Sequence, residues 1–275
     1  MKPKRAEKKN LFSKVQFEPS ILSNVNKLID SVYAGLFRVY RMSSTHTATE
    51  YLAGLLRCEK GHGNMERMVE EVEDSDYKRY IHFLSVSKWS AASVNNATLG
   101  ETDRLLRAQK KQSGLPTGLV LDESSHLKKG PKSVGVARQY AGVAGKVDNC
   151  QVAVHASLAN GKFCTLVGTE LFLPEGWTKD KERCEAAGIP GPEQKFQTKP
   201  ELALKIIKRI IASGAEFDFI GGDGLYGHNA ELTRALDDLD RFYVLDVHKD
   251  ETVFLSEPTF LIPERKGNKG RMPTN

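Results

Sequence analysis

Two stretches decide the fold: Thr117-Gly118-Leu119-Val120-Leu121-Asp122, and Phe217-Asp218-Phe219-Ile220-Gly221-Gly222-Asp223. Each is a short apolar run that ends on an aspartate, the pattern of a strand buried in a sheet. Residues 151–158 also read as a strand. Asn160-Gly161 supplies a hairpin turn, and residues 162–173 form the returning strand. Residues 174–198 read as an irregular insertion around Trp177. An amphipathic helix is predicted over 198–213, with Pro200 near its first turn, Leu202, Leu204, Ile206, Ile207, Ile210 and Ile211 inside, and Gly214 closing it. After the second aspartate come a short helix over 228–238 and a strand over 242–247. A hairpin followed by alternating helix and strand predicts a mixed α/β sheet covered on both faces.

Upstream, the texture differs. Residues 1–19 are a basic, flexible lead-in. Residues 20–112 are helical throughout, with Ile21, Val25, Leu28, Ile29 and Val32, then Tyr51, Leu52, Leu55 and Leu56, recurring at helical spacing. Asp74-Ser75-Asp76 caps a further helix. Ser113-Gly114-Leu115-Pro116 marks the change to the strand-rich region, so the division is lead-in 1–19, helical domain 20–112 and sheet domain 113–275. The last twenty residues carry Pro258, Pro263 and Pro273 and no closing helix.

Composition narrows the class. The 275 residues are 40% hydrophobic and 27% charged, enough to bury a sizeable core. No apolar run is long enough for a membrane helix, and the N-terminus lacks the apolar stretch of a secretory signal. Cys58, Cys150, Cys164 and Cys184 stand far apart without a CxxC pair, which fits reduced thiols in a cytoplasmic protein. The net charge of +5 is concentrated at the ends: residues 1–10 are net +4 and 264–271 net +3, leaving −2 for 11–263. One interior stretch is different. Lys128, Lys129, Lys132, Arg138 and Lys146 lie between Ser124 and Val147 with no acid among them. Such a loop suits a phosphate backbone, whose counterions a bound protein must displace, although a solvated loop has the same composition.

Asp122 and Asp223 are the candidate catalytic residues. Acids at strand ends in an α/β sheet converge at one edge of it. Two carboxylates there can hold Mg²⁺, a hard, oxygen-seeking cation. A metal pair about 3.5–4 Å apart activates a water or 3′-hydroxyl and stabilises the leaving oxygen in phosphodiester attack. Glycines 221, 222 and 224 leave room for close approach. Tyr140 and Tyr226 can stack on a displaced nucleotide or simply pack.

The run Leu121-Asp122-Glu123-Ser124 through Lys128-Lys129-Gly130, then residues 133–140 and 145–152, resembles the catalytic core of DDE-superfamily endonuclease transposases of bacterial insertion sequences. So do Leu171-Phe172-Leu173-Pro174-Glu175-Gly176-Trp177, Gly222-Asp223-Gly224-Leu225-Tyr226-Gly227 and Asp246-Val247-His248-Lys249-Asp250. The resemblance covers roughly residues 45–255 and is dense from 117 to 250. It implies a ribonuclease-H-like sheet, whose element order matches the one read above. It also implies Asp122 and Asp223 as the first two catalytic acids, two Mg²⁺ or Mn²⁺ ions, and double-stranded DNA as partner. The family's third acid is a glutamate on a late helix beyond an insertion. The sequence stops within that insertion, so no third acid is assigned to Glu251, Glu257 or Glu264. Where the family has a small residue and an aromatic after the first aspartate, Ser125-His126 stand here.

The resulting expectation is a transposase that cleaves and joins DNA at insertion-sequence ends, a homodimer when active. The alternatives are a DNA-binding or inhibitory form without cleavage, and a nuclease acting on RNA–DNA hybrids. Glu123 reads either as a partner of metal-bound water or as an exposed neighbour. His126, His155, His228 and His248 show no zinc spacing, and Asp246 is a weak candidate for a third carboxylate. Trp177 is expected to anchor the insertion, and Trp89 to pack within the helical domain.

Overall fold

A computed structural model describes residues 27–39, 42–58, 63–252 and 256. The basic lead-in, Ile21, Val25, Glu257, Glu264 and the proline-bearing tail lie outside them. The N-terminal part is helical, as its periodicity predicts. It comprises α1 (Thr45–Arg57), α2 (Met65–Glu71), α3 (Tyr77–Ser85) and the long α4 (Ala91–Ser113), preceded by a small ladder pairing Arg38–Val39 with Met42–Ser43. Asp76 caps α3 by accepting from the Arg79 amide, and Ser90 caps α4 in the same way. An aromatic cluster holds this part together. The Trp89 ring stacks on Phe83 at 5.4 Å and meets Phe37 edge-on, and its Nε1 donates to the Phe83 carbonyl.

The sheet contains β1 (Gly118–Leu127), β2 (Ala137–Ala141), β3 (Lys146–Asn160), β4 (Phe163–Leu171), β5 (Phe219–Gly222) and β6 (Tyr243–Leu245). Its order runs β4-β3-β1-β5-β6. The β1–β3 and β3–β4 pairs are antiparallel, and β1–β5 and β5–β6 parallel. β2, which the sequence reading did not anticipate, pairs with the first residues of β3 on the edge that β4 uses further along. The expected 174–198 insertion is partly ordered as α5 (Glu175–Thr178) and α6 (Lys181–Ala186). Then follow α7 (Lys199–Ala212), α8 (Gly224–Gly227) and α9 (Ala230–Asp238). Thr198 and Glu201 form a reciprocal capping box at the start of α7.

One core unites these layers. Leu119 and Leu121 of β1, Val154, Ala156 and Leu158 of β3 and Ile220 of β5 point to one side. There they meet Ile206, Ile207 and Ile210 of α7 and Leu232 and Leu236 of α9. Leu99 and Leu106 of α4 join the same cluster. The end of α4 is fastened further by Lys110 on Asp218 at 2.5 Å and by an Arg107–Glu216 ion pair. Asn160 acts beyond its turn. It is buried, and its side-chain amide donates to the Leu115 and Pro116 carbonyls, tying the α4–β1 connection to the hairpin.

On the other face of the sheet Val120, Leu166 and Val244 are exposed, while Ala153, His155, Ser157 and Ala159 of β3 are half-buried. Ile206 is the central knob on the covered face. It is fully buried, and its Cγ2 lies 2.5 Å from where a Cβ on Gly168 would stand. Ile206→Ala therefore leaves a hole that Gly168 cannot fill. The expected loss, measured by urea denaturation, is toward the upper part of the roughly 2–5 kcal/mol usual for such truncations.

Candidate active site

Asp122 and Asp223 come together through strand register. Val120 of β1 is paired in parallel with Gly221 of β5, and each aspartate lies two residues further on. Neighbouring strands are about 4.8 Å apart, so the two carboxylates leave the sheet side by side at the carboxyl end of its parallel part. The strand does not end at Asp122, as the sequence suggested. β1 continues to Leu127 because β3, a fifteen-residue strand, keeps pairing with it, with Asp122 opposite His155. The β1–β5 pairing stops at Val120, so the space beyond is open next to Asp122.

Both aspartates are exposed, and neither has an ion pair among the described residues. One oxygen of each is engaged locally. Asp122 Oδ1 accepts from the Glu123 amide at 2.8 Å, and Asp223 Oδ1 accepts from the Leu225 amide at 3.0 Å as the N-cap of α8. The second oxygens have no protein partner among the described residues. His155, across from Asp122, is held through both ring nitrogens, by Ser124 Oγ at 2.9 Å and Thr169 Oγ1 at 3.0 Å. Burial pushes its pKa below 6.5 against the opposing pull of Asp122, so no fixed cation competes for that carboxylate.

The glycines of 222–227 allow the turn to close. A Cβ on Gly227 would stand 1.9 Å from the Asp246 carbonyl oxygen, and the Asp246 amide donates to the Gly222 carbonyl at 3.0 Å. The α8 turn and the chain leaving β6 are thus in backbone contact. Among the described residues no three His, Cys, Asp or Glu side chains gather as a metal group. His228 and His248 meet edge-on at 5.3 Å, and His228 Nδ1 bonds Glu251 at 2.7 Å.

Glu123 follows neither sequence reading. Strand alternation turns it to the face opposite Asp122, where its carboxylate takes Lys199 Nζ at 2.8 Å and the Tyr226 hydroxyl at 3.3 Å. Tyr226 is fully buried, which removes it from stacking on a nucleotide, whereas Tyr140 is 60% exposed. Sequence reasoning missed Lys199. The local signal is slight: a lysine at the first position of a helix faces the positive end of the macrodipole, a mildly unfavourable placement.

The basic loop lies farther from Asp122 than sequence adjacency suggests. It begins after Leu127, five residues along an extended strand and so roughly 17 Å away. Lys129, Lys132, Arg138 and Lys146 are exposed, Lys128 is half-buried, and Lys146 is 3.4 Å from Asp148. The loop's carbonyls are captured by side chains around it. Asn149 donates to Lys128 and Gly130, Arg183 to Pro131, Gln151 to Val134 and Trp177 to Val136. Trp177 packs on Val136 and Cys184 under the Arg183 guanidinium, 3.7 Å from its ring, and so anchors the insertion to the loop.

The strand order, with its mixed parallel and antiparallel pairing and intervening helices, defines a ribonuclease-H-like α/β domain preceded by helices. The chain belongs to the DDE superfamily endonucleases, whose family model matches residues 32–275. It is 34% identical over 173 residues to a protein described as a probable transposase for insertion sequence element IS701, from Microchaete diplosiphon. That match covers 62% of this chain and 41% of the relative, so the chain spans about two-fifths of the relative's length. No solved structure matches. No helix among the described residues is long and apolar enough to cross a membrane.

Proposed function

We propose that this chain is the DNA-processing part of an insertion-sequence transposase, with Asp122 and Asp223 as the catalytic metal ligands. The reading is carried by the strand register, which puts two exposed aspartates each two residues beyond the last β1–β5 pair, each with an oxygen free of protein partners among the described residues. That donor set fits Mg²⁺ or Mn²⁺, which bind through one or two carboxylates and complete their shell with water and substrate phosphate. Bound there, two such ions supply activation of the attacking oxygen and stabilisation of the leaving one. The protein's own part is to hold both carboxylates in place and to align the DNA.

Alignment falls to the basic loop. Its backbone is fixed by five side-chain donor contacts, so Lys128, Lys129, Lys132 and Arg138, with Lys146 alongside, form a stiff cationic edge on the way to Asp122. A preformed edge loses little freedom on binding a phosphate backbone. Joining two element ends calls for two copies of the chain, and a homodimer is the corresponding assembly.

A duplex carrying the element's terminal sequence tests the reading. The wild-type chain is expected to bind it with a steep salt dependence. The triple variant Lys128→Ala, Lys129→Ala, Lys132→Ala should lower the slope of log K against log salt by roughly 0.9 for each phosphate contact removed. An unchanged slope excludes the loop as the DNA path. Nicking of the duplex on adding Mg²⁺ supports the catalytic reading. Tight binding without nicking favours the alternative of a DNA-binding or inhibitory form.

A further inference from the structure

We propose that Glu123, clasped by Lys199 and Tyr226 behind the sheet, is a positioning residue that locks the turn carrying Asp223 onto the strand carrying Asp122. The inference rests on the reading of those two aspartates as metal ligands.

Three separate pieces of chain meet at this carboxylate. Glu123 belongs to β1 and directly follows Asp122. Tyr226 lies in α8, three residues after Asp223, and donates its hydroxyl to Oε2. Lys199 is the first residue of α7 and donates to Oε1. Glu123 cannot serve beside Asp122 as a ligand, because alternation sends the two side chains to opposite faces. Regular pairing does not bridge the same gap: the β1–β5 ladder ends at Val120 and Gly221, before either aspartate. The Tyr226–Glu123 bond therefore links the two segments beyond the last ladder pair. Its parts are rigid. Tyr226 is fully buried, and burial together with Glu123 raises its pKa, so the hydroxyl stays protonated as a donor.

Charge supplies a second reason for the clasp. The Glu123 side chain is only 24% exposed, and a partly buried carboxylate needs a charged partner. Lys199 supplies it at 2.8 Å, so the carboxylate that cannot bind metal is held in place by an ion pair. The lysine stands against the dipole of its own helix, so its position serves Glu123 rather than α7.

Mn²⁺ binding to the 275-residue chain, followed by the spin-resonance signal of the free ion, provides the test. Partners that orient metal ligands are worth about 10–100-fold in metal affinity. Tyr226→Phe keeps the buried ring and removes only the hydroxyl, and is expected to weaken Mn²⁺ binding about 10-fold. Lys199→Met should weaken it comparably, with an unchanged thermal midpoint, and Lys199→Arg should recover most of the loss. Lys199 is half-buried at the first position of α7 and outside the fully buried core, so its variants report even if Tyr226→Phe folds poorly. Asp122→Asn and Asp223→Asn serve as controls. If they bind Mn²⁺ as the wild type does, the metal assignment falls and the clasp with it. If they lose binding while Tyr226→Phe and Lys199→Met retain it, the clasp alone is overturned.

Discussion

Asp122→Asn and Asp223→Asn are each expected to abolish Mg²⁺-dependent nicking while leaving duplex binding intact. Metal ions of this kind supply several kcal/mol of transition-state stabilisation, so losing one ligand corresponds to a fall on the order of 10³-fold or more. Asparagine is the informative replacement. Asp223 caps α8 through the Leu225 amide, and an asparagine oxygen accepts the same bond, so the turn survives and only the charge is lost. Asp122 is exposed, and removing one negative charge from a surface that meets phosphate does not weaken DNA binding. The measurement pairs a nicking rate with a gel-shift affinity for each variant. A variant that keeps the wild-type rate excludes its aspartate from the chemistry. A variant that loses rate and affinity together points to misfolding instead.

Gly227→Ala is the second large effect, and it acts through the backbone. The added methyl would meet the Asp246 carbonyl oxygen at 1.9 Å and its carbon at 3.0 Å. These are main-chain atoms, so relief requires α8 and the chain after β6 to separate by more than about 1 Å, a distance set by ordinary contact limits. Overpacking a core typically costs about 1–3 kcal/mol, and a clash with main chain lies at or beyond the top of that range. The shift also pulls on the Asp246–Gly222 hydrogen bond directly beside Asp223. Since a misplacement of about 1 Å can cost 10²-fold in rate, nicking should fall by about that factor in the protein that still folds. Chemical denaturation and nicking on the same preparation separate the two effects. Gly224→Ala is the contrast: its Cβ would meet only the His248 ring at 3.4 Å, an ordinary contact, and a small effect is expected.

The two glycines look alike in the sequence Gly222-Asp-Gly-Leu-Tyr-Gly227, and only the crossing of two chain segments tells them apart. The same contrast runs through the rest of the molecule. Apolar runs ending in Asp122 and Asp223 disclosed the strands because a buried strand needs apolar residues over its length, a local requirement. Pro200, the spacing of the isoleucines of α7 and the closing Gly214 disclosed that helix for the same reason. The extent of β1 was not legible. Residues 122–126 are polar, and they are extended because β3 offers partners in register along all ten residues of β1. The bland appearance of 131–140 likewise concealed β2, which exists only as a partner for the start of β3.

By itself, then, the sequence determined the mixed sheet with its helices and singled out Asp122 and Asp223 as candidates, since periodicity, capping and acids after apolar runs act over a few residues. The tertiary structure alone decided that the basic loop stands roughly 17 Å along the strand from Asp122. It alone turned Glu123 away from its neighbour to meet Lys199 and Tyr226, and buried a tyrosine that otherwise reads as a nucleotide contact. Those outcomes depend on register and on which face a side chain takes, and both are fixed by partners 76 and 103 residues away in the chain.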